Sequence, residues 1–182
     1  MVELLIAMVV LAVGVSAVAA AFTSGIFAIN RANQTATAAV LADKQMEIYR
    51  GLTYDWITLS TAVPDSTYTS DVAYTSCQTS STPACTHLAD TGGTKCGSTG
   101  VVTQGFADAC LPTQDVTGPD GHAYRVDTFV AQIAGTTGTT PTRTHKDIVV
   151  VVRDGVSGRT LAREESIFDC STAATGSTCP TS

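Results

Sequence analysis

The sequence predicts an α+β chain: a long N-terminal helix packed on a small antiparallel β-sheet, with a disulfide-stapled loop region between them. Three observations carry this expectation. From Leu4 to Ile29 run 26 residues without a charge, proline, asparagine or glutamine. Residues 122–168 hold alternating and β-branched stretches separated by turn signals. All six cysteines follow the apolar run, in a part of the chain rich in serine, threonine and glycine.

At roughly 1.5 Å per residue, a helix over Leu4–Ile29 reaches about 39 Å, enough to cross the hydrocarbon core of a bilayer. The helical signal continues beyond it. Ala38, Leu41, Ala42, Ile48 and Tyr49 recur at helical spacings, with Gln45 the one polar residue on that face. Asp43, Glu47 and Arg50 mark the opposite side, where Glu47 and Arg50 form a favourable i, i+3 pair. No proline precedes Pro64, and Gly51 supplies a stop. One helix from about residue 3 to 50 is therefore expected, with Gly14 or Ser24-Gly25 as the weakest points if it breaks. Residues 1–30 form its apolar half, 31–52 its amphipathic half, and 53–182 a globular head.

Within the head, 53–121 read as loop-rich. Tyr54 and Trp56 are expected to pack where the helix enters, Val63-Pro64-Asp65 to turn, and Thr67 to Tyr74 to form a short strand. Residues 75–121 contain four cysteines and fourteen serines and threonines, and read as a stapled excursion in which disulfides replace a hydrophobic core. The segment 122–168 reads as three antiparallel strands. His122–Ile133 alternates Tyr124, Val126, Thr128 and Val130, with Phe129 breaking the phase. Lys146–Arg153 is β-branched, Asp154–Gly158 turns, and Arg159–Phe168 returns. Residues 169–182 form a tail.

The cysteines are Cys77, Cys85, Cys96, Cys110, Cys170 and Cys179. An even number, confined to the polar region and lacking C-x-x-C, implies an oxidising compartment and intramolecular disulfides, and excludes zinc-ribbon and thioredoxin-like readings. Fifteen pairings are possible. The nine-residue spacing favours Cys170–Cys179 among them.

The net charge of −6 argues against a nucleic-acid footprint across the head, and only 14% of residues are charged. His87, His122 and His145 are scattered in polar segments and read as exposed. Asp115, Asp120 and Asp127 match no calcium-loop spacing, and Gly92–Ser98 has the composition but not the spacing of a phosphate loop. Asn33-Gln34-Thr35 is a glycosylation sequon that falls mid-helix. No catalytic signature occurs, so the sequence predicts no enzyme, no cofactor and no metal.

Glu3 is the only ionisable side chain before Arg31, and a carboxylate at the mouth of an apolar run implies a partner or a function. Ala17-Val18-Ala19 has the form of a signal-peptidase site, but the apolar run continues past it without a turn. MVELLIAMVVLAVG resembles the N-terminal segment of type IV pilins and bacterial pseudopilins, where a methylated mature N-terminus is followed by T-L-[IV]-E-L-[LM]. The family glutamate is fifth in the mature chain. Glu3 is third, which places two residues, including the methylated one, before this numbering. Leu41–Glu47 with Arg50–Asp55 is similar to the end of the stalk helix in some minor pilins and pseudopilins.

The resemblance implies a pilin fold, cleavage by a prepilin peptidase, residence in the inner membrane, and assembly by pilus machinery into an extracellular homopolymer for adhesion or motility. It implies that Glu3 pairs with the N-terminal ammonium of a neighbouring subunit. Small residues (Ala7, Ala12, Gly14, Ser16, Ala17, Ala19, Ala20 and Ala21) would let helices approach closely in such a core. A minor pilin or type II secretion pseudopilin, acting at a tip or as a piston, is the alternative. An unrelated single-pass anchored binding module is the second, for which Glu3 would be dispensable.

Overall fold

A computed structural model describes residues 2–60, 65–79, 85–90, 110–134 and 144–169. The chain divides into two compact units, Met1–Ala36 and Thr37–Ser182. A single α-helix, α1 (Val2–Arg50), contributes to both and is unbroken at Gly14 and Gly25. Gly51 ends it: its N–H donates to the carbonyls of Glu47 at 3.1 Å and Ile48 at 3.2 Å, and Leu52 folds back with its N–H on the Tyr49 carbonyl. Arg50 ties down the outer side of the last turns by ion pairs to Glu47 at 3.3 Å and Asp43 at 3.6 Å.

The second unit is built on an antiparallel sheet. Its central pair is β5 (Ala123–Ile133) and β6 (His145–Asp154), followed by β7 (Thr160–Asp169). Asp154 shapes the β6–β7 turn, its carboxylate accepting from the N–H groups of Val156 and Ser157. Gly158 closes that turn at φ 69°. Gly155 donates its N–H to the Ala123 carbonyl at 2.9 Å. A Cβ there would stand 2.9 Å from the same oxygen, so only glycine fits.

Three strands are legible in the sequence; among the described residues the sheet has five. Residues 75–121, expected as loops, also supply β2 (Cys85–His87) and β4 (Thr113–Thr117), which pair with opposite ends of the same edge of β5. Between them the edge is completed by the Leu88 N–H on the Val130 carbonyl and the Thr128 N–H on the Pro112 carbonyl. A two-residue parallel ladder joins β1 (Leu59–Ser60) to β3 (Ala89–Asp90).

The strand expected over Thr67–Tyr74 is instead two short helices, α2 (Ser66–Thr69) and α3 (Val72–Thr79). Their starts explain it. The Asp65 carboxylate accepts the Tyr68 N–H at 2.9 Å as an N-cap, and Asp71 accepts the Ala73 N–H at 2.8 Å. The alternation of Tyr68, Val72 and Tyr74 was weak, and Val72 lies 70% exposed.

Both faces of the central pair β5–β6 are covered, while the back of β7 is exposed at Arg163, Glu165 and Ile167. On the front, Ala38, Ala42, Met46 and Tyr49 of α1 pack with Tyr124, Val126, Val130, Ile148, Val150 and Val152. Met46, absent from the sequence-derived face, is fully buried, whereas Leu41 and Ile48 are half-buried. Gln45 is buried with them and donates to the Thr128 hydroxyl at 3.3 Å, which satisfies the polar residue on the apolar face. On the back, Phe129, Val149 and Val151 pack with Tyr68 and Ala73. Phe129 does not break the strand; it points to this second core and stacks on Tyr68 at 4.2 Å between ring centroids.

Beside the back core runs a ladder of ion pairs. Asp127, completely buried, accepts from Arg125 Nε at 2.8 Å and Arg153 Nε at 3.0 Å. Arg125 grips both oxygens of Asp65, at 2.6 and 2.8 Å, and Arg153 reaches Asp71. Each short helix is thus fixed to the sheet by a guanidinium on its capping aspartate. Arg125 and the Tyr68 N–H hold the Asp65 carboxyl well below the usual carboxylate range.

On the front, Lys146 is buried in phase with Ile148 and Val150. Its Nζ donates to the carbonyls of Tyr54 at 2.6 Å and Ile57 at 3.0 Å, over the Tyr54 ring. This anchors the turn Tyr54–Trp56 that follows α1.

Candidate assembly surface

The first thirty residues of α1 leave their apolar side chains uncovered within the chain. Val2, Leu4, Leu5, Ile6, Met8, Val9, Val10 and Leu11 each lie between 58% and 70% exposed, as do Phe22, Ile26, Phe27 and Ile29 within a few per cent of that range. No face is favoured, so the segment is not the amphipathic helix of a water-soluble core. Among the described residues this is one helix long and apolar enough to cross a membrane.

Its few polar side chains turn inward. The hydroxyls of Ser16, Thr23 and Ser24 donate to the carbonyls of Val13, Ala19 and Ala21, each at 2.9 Å. With the backbone donors used by the helix itself, the surface from Leu4 to Ile29 offers no unsatisfied hydroxyl donor to its surroundings, as an apolar environment requires. Gly14 and Gly25 have open space where a Cβ would stand, so nothing inside the chain requires glycine at either position. Val18, Ala21, Phe22, Gly25, Ile26 and Ile29 line an open apolar depression on the helix surface.

Glu3 lies in the first turn of α1, where a carboxylate suits the positive end of the helix dipole. Among the described residues no ion pair involves it. The next charged side chain along the helix is Arg31, 28 positions on, or roughly 42 Å away at the rise of a helix.

The remaining candidates stand apart from this surface. Cys77 and Cys85 form a disulfide joining α3 to β2, and Cys110 is also disulfide-bonded. Cys96, Cys170 and Cys179, and with them the expected Cys170–Cys179 pair, lie outside the described residues. His87 is half-buried rather than exposed, because its ring stacks on Tyr74 at 4.2 Å and meets the Tyr74 carbonyl at 3.0 Å. Burial pushes its pKa down, opposed by that hydrogen bond. His122 is exposed, and His145 is half-buried beside Asp147 at 3.5 Å. Asp115, Asp120 and Asp127 are not brought together: Asp120 takes the Tyr124 hydroxyl, while Asp127 is held by two arginines. Among the described residues no three histidine, cysteine or carboxylate side chains gather as metal ligands. Asn33 sits within α1, and the Thr35 hydroxyl donates to the Arg31 carbonyl.

Compared with protein-family models, curated proteins and solved structures, the chain matches none.

Proposed function

We propose that this chain is a structural subunit of a type IV pilus-like filament on a bacterial surface, with a pilin fold, held in the inner membrane until it polymerises. The observation that carries the reading is the change along α1. Its first residues are apolar on every side, while Ala38–Tyr49 of the same helix bury one face on the head's sheet. A helix of 49 residues is about twice what a bilayer needs, and its second half already has a place in the head. Its first half needs lipid or other copies of itself.

Both surroundings follow from one physical argument. In the membrane, lipid covers the apolar side chains. In a filament, copies of the same segment replace lipid, and Ala7, Gly14, Ala17, Ala21 and Gly25 allow close approach. A head-to-tail interface that does not close gives an open helical polymer. Glu3 then meets the N-terminal ammonium of a neighbour, a pairing that fixes register more than it adds stability. Prepilin peptidase and the pilus assembly machinery are the partners the resemblance implies.

The segment Leu41–Glu47 with Arg50–Asp55 favours a second reading of the same chemistry, a minor pilin or secretion pseudopilin present in few copies. Electron microscopy of sheared surface filaments, with mass-spectrometric identification of their bulk protein, separates these readings. The first expects this chain as the bulk component. Filaments made of another protein with this chain in trace amounts would favour the second. Its absence from every filament would defeat both.

A further inference from the structure

We propose that the outer edge of β7 pairs antiparallel with the same edge of a second copy of this chain, joining two heads through one continuous sheet. The two edges of the sheet are finished differently. Along β5, the strands β2 and β4 pair with its two ends, and the bonds from Leu88 to Val130 and from Thr128 to Pro112 close the gap between them. Along the far side of β7 no strand pairs among the described residues, over the ten residues Thr160–Asp169. An edge of that length without a proline is a template for another strand.

The register follows from which backbone groups face outward. The Asp154 N–H donates to the Arg159 carbonyl and the Gly155 N–H to the Ala123 carbonyl, so Asp154 faces β7 and Gly155 faces β5. Alternation along β6 then turns Val152, Val150 and Ile148 toward β7, where they meet Ala162, Glu164 and Ser166. The backbone groups of Arg163, Glu165 and Ile167 therefore point away from the sheet. Their side chains are exposed on the back, in line with Val151, Val149 and Asp147.

An antiparallel partner must bring outward groups against outward groups. Centred on Glu164, the pairing sets Arg163 of each copy opposite Glu165 of the other, two favourable cross-strand pairs. A shift of two residues either way sets Arg163 opposite Arg163 or Glu165 opposite Glu165. Charges of one sign guard an edge against its own copy; these alternate in sign and favour one register over its neighbours. Arg163 is free to turn to it, since its contacts within the chain, Asp71 at 3.6 Å and Glu165 at 3.8 Å, are longer than hydrogen bonds. On the front, Glu164 meets its own copy, but each carboxylate is already held by Arg50 at 3.2 Å. The same patch serves both copies, so the contact closes as a twofold pair. It joins heads and does not rest on the filament reading.

The test is sedimentation of the full chain in detergent micelles over a series of protein concentrations. A monomer–dimer equilibrium is expected. Arg163→Glu and Glu165→Arg each turn two attractive pairs into repulsive ones and should weaken dimerisation about tenfold. The double variant exchanges the charges and should restore it. Ile167→Pro removes an outward N–H and leaves the bonds between β6 and β7 intact, so it should abolish the dimer while the head stays folded. Association through the apolar half of α1 would ignore all of these changes. Association unaffected by charge reversal, a double variant that fails to recover, or no concentration dependence would overturn the proposal, even if Ile167→Pro failed to fold.

Discussion

Residues 2–29 and residues 37–50 belong to one uninterrupted helix, yet they obey different rules. In the second stretch position decides burial: Ala38, Ala42, Gln45, Met46 and Tyr49 are buried, while Asp43, Lys44, Glu47 and Arg50 are exposed. In the first stretch position decides nothing, because apolar side chains occupy every direction and the hydroxyls bond back to the helix. The second stretch is written for a boundary between protein and water. The first presents apolar side chains in every direction. Helix propensity is common to both; what differs is the partner each surface was built to meet.

The largest effect should come from carrying one kind of substitution across that divide. Tyr49→Ala removes a fully buried ring from the front core and should cost the head about 3–5 kcal/mol. Phe22→Ala, at a ring 71% exposed, should change the unfolding of the head by less than about 0.5 kcal/mol. Denaturant unfolding in micelles, followed by the near-UV signal of the head, measures both. A large loss from Phe22→Ala would mean that the first stretch supports the head, and the contrast would fail.

A smaller effect tests how the head receives the helix. Lys146→Met keeps the length of the side chain but takes the ammonium from the carbonyls of Tyr54 and Ile57, leaving the Tyr54 carbonyl only the Ile57 N–H at 3.3 Å. It should cost about 1–3 kcal/mol, the desolvation of unsatisfied acceptors, in the same unfolding experiment. A neutral or stabilising result would show that burying the ammonium offsets what it satisfies.

The smallest effect is a pH dependence confined to the second unit. Asp65 is held below its ordinary pKa, so the stability it contributes is present at neutral pH. That contribution is lost as pH falls below about 4, where the unfolded carboxyl protonates first, and on through the lower folded value. Asp65→Asn keeps a good N-cap and should flatten the acid limb of stability against pH. Asp147, held above its ordinary value, acts in the opposite sense: the folded carboxyl costs more as pH rises through its raised pKa. An acid limb unchanged by Asp65→Asn would show that the exposed pair with Arg125 carries no net weight.

How much of this could be read from the sequence depended on periodicity. The helix, the β6–β7 hairpin and strand β5 were legible because long runs with one period leave one interpretation. Short elements were not. α2 and α3 are too brief for propensity to decide, and tertiary contacts through Tyr68, Asp65 and Asp71 hold them. Phe129 carried a signal that alternation alone misread, since a strand buried on both faces keeps apolar residues in both phases. Lys146 was visible as a charge in phase with Ile148 and Val150, although nothing local names the carbonyls it meets. Glu3 is legible in the sequence as a lone carboxylate at the mouth of an apolar run.

The central claim is that the first stretch of α1 serves assembly and not folding, and Glu3 tests it most directly. Glu3→Ala should leave the monomer inserted and its head folded, because no ion pair among the described residues depends on Glu3. Surface filaments should fail or fall steeply, since a neighbour's ammonium would lose its only carboxylate partner in an apolar core. The measurement is an immunoblot of the sheared surface fraction against the membrane-held fraction. The account predicts normal monomer and few or no filaments; normal filament yield from Glu3→Ala would contradict it.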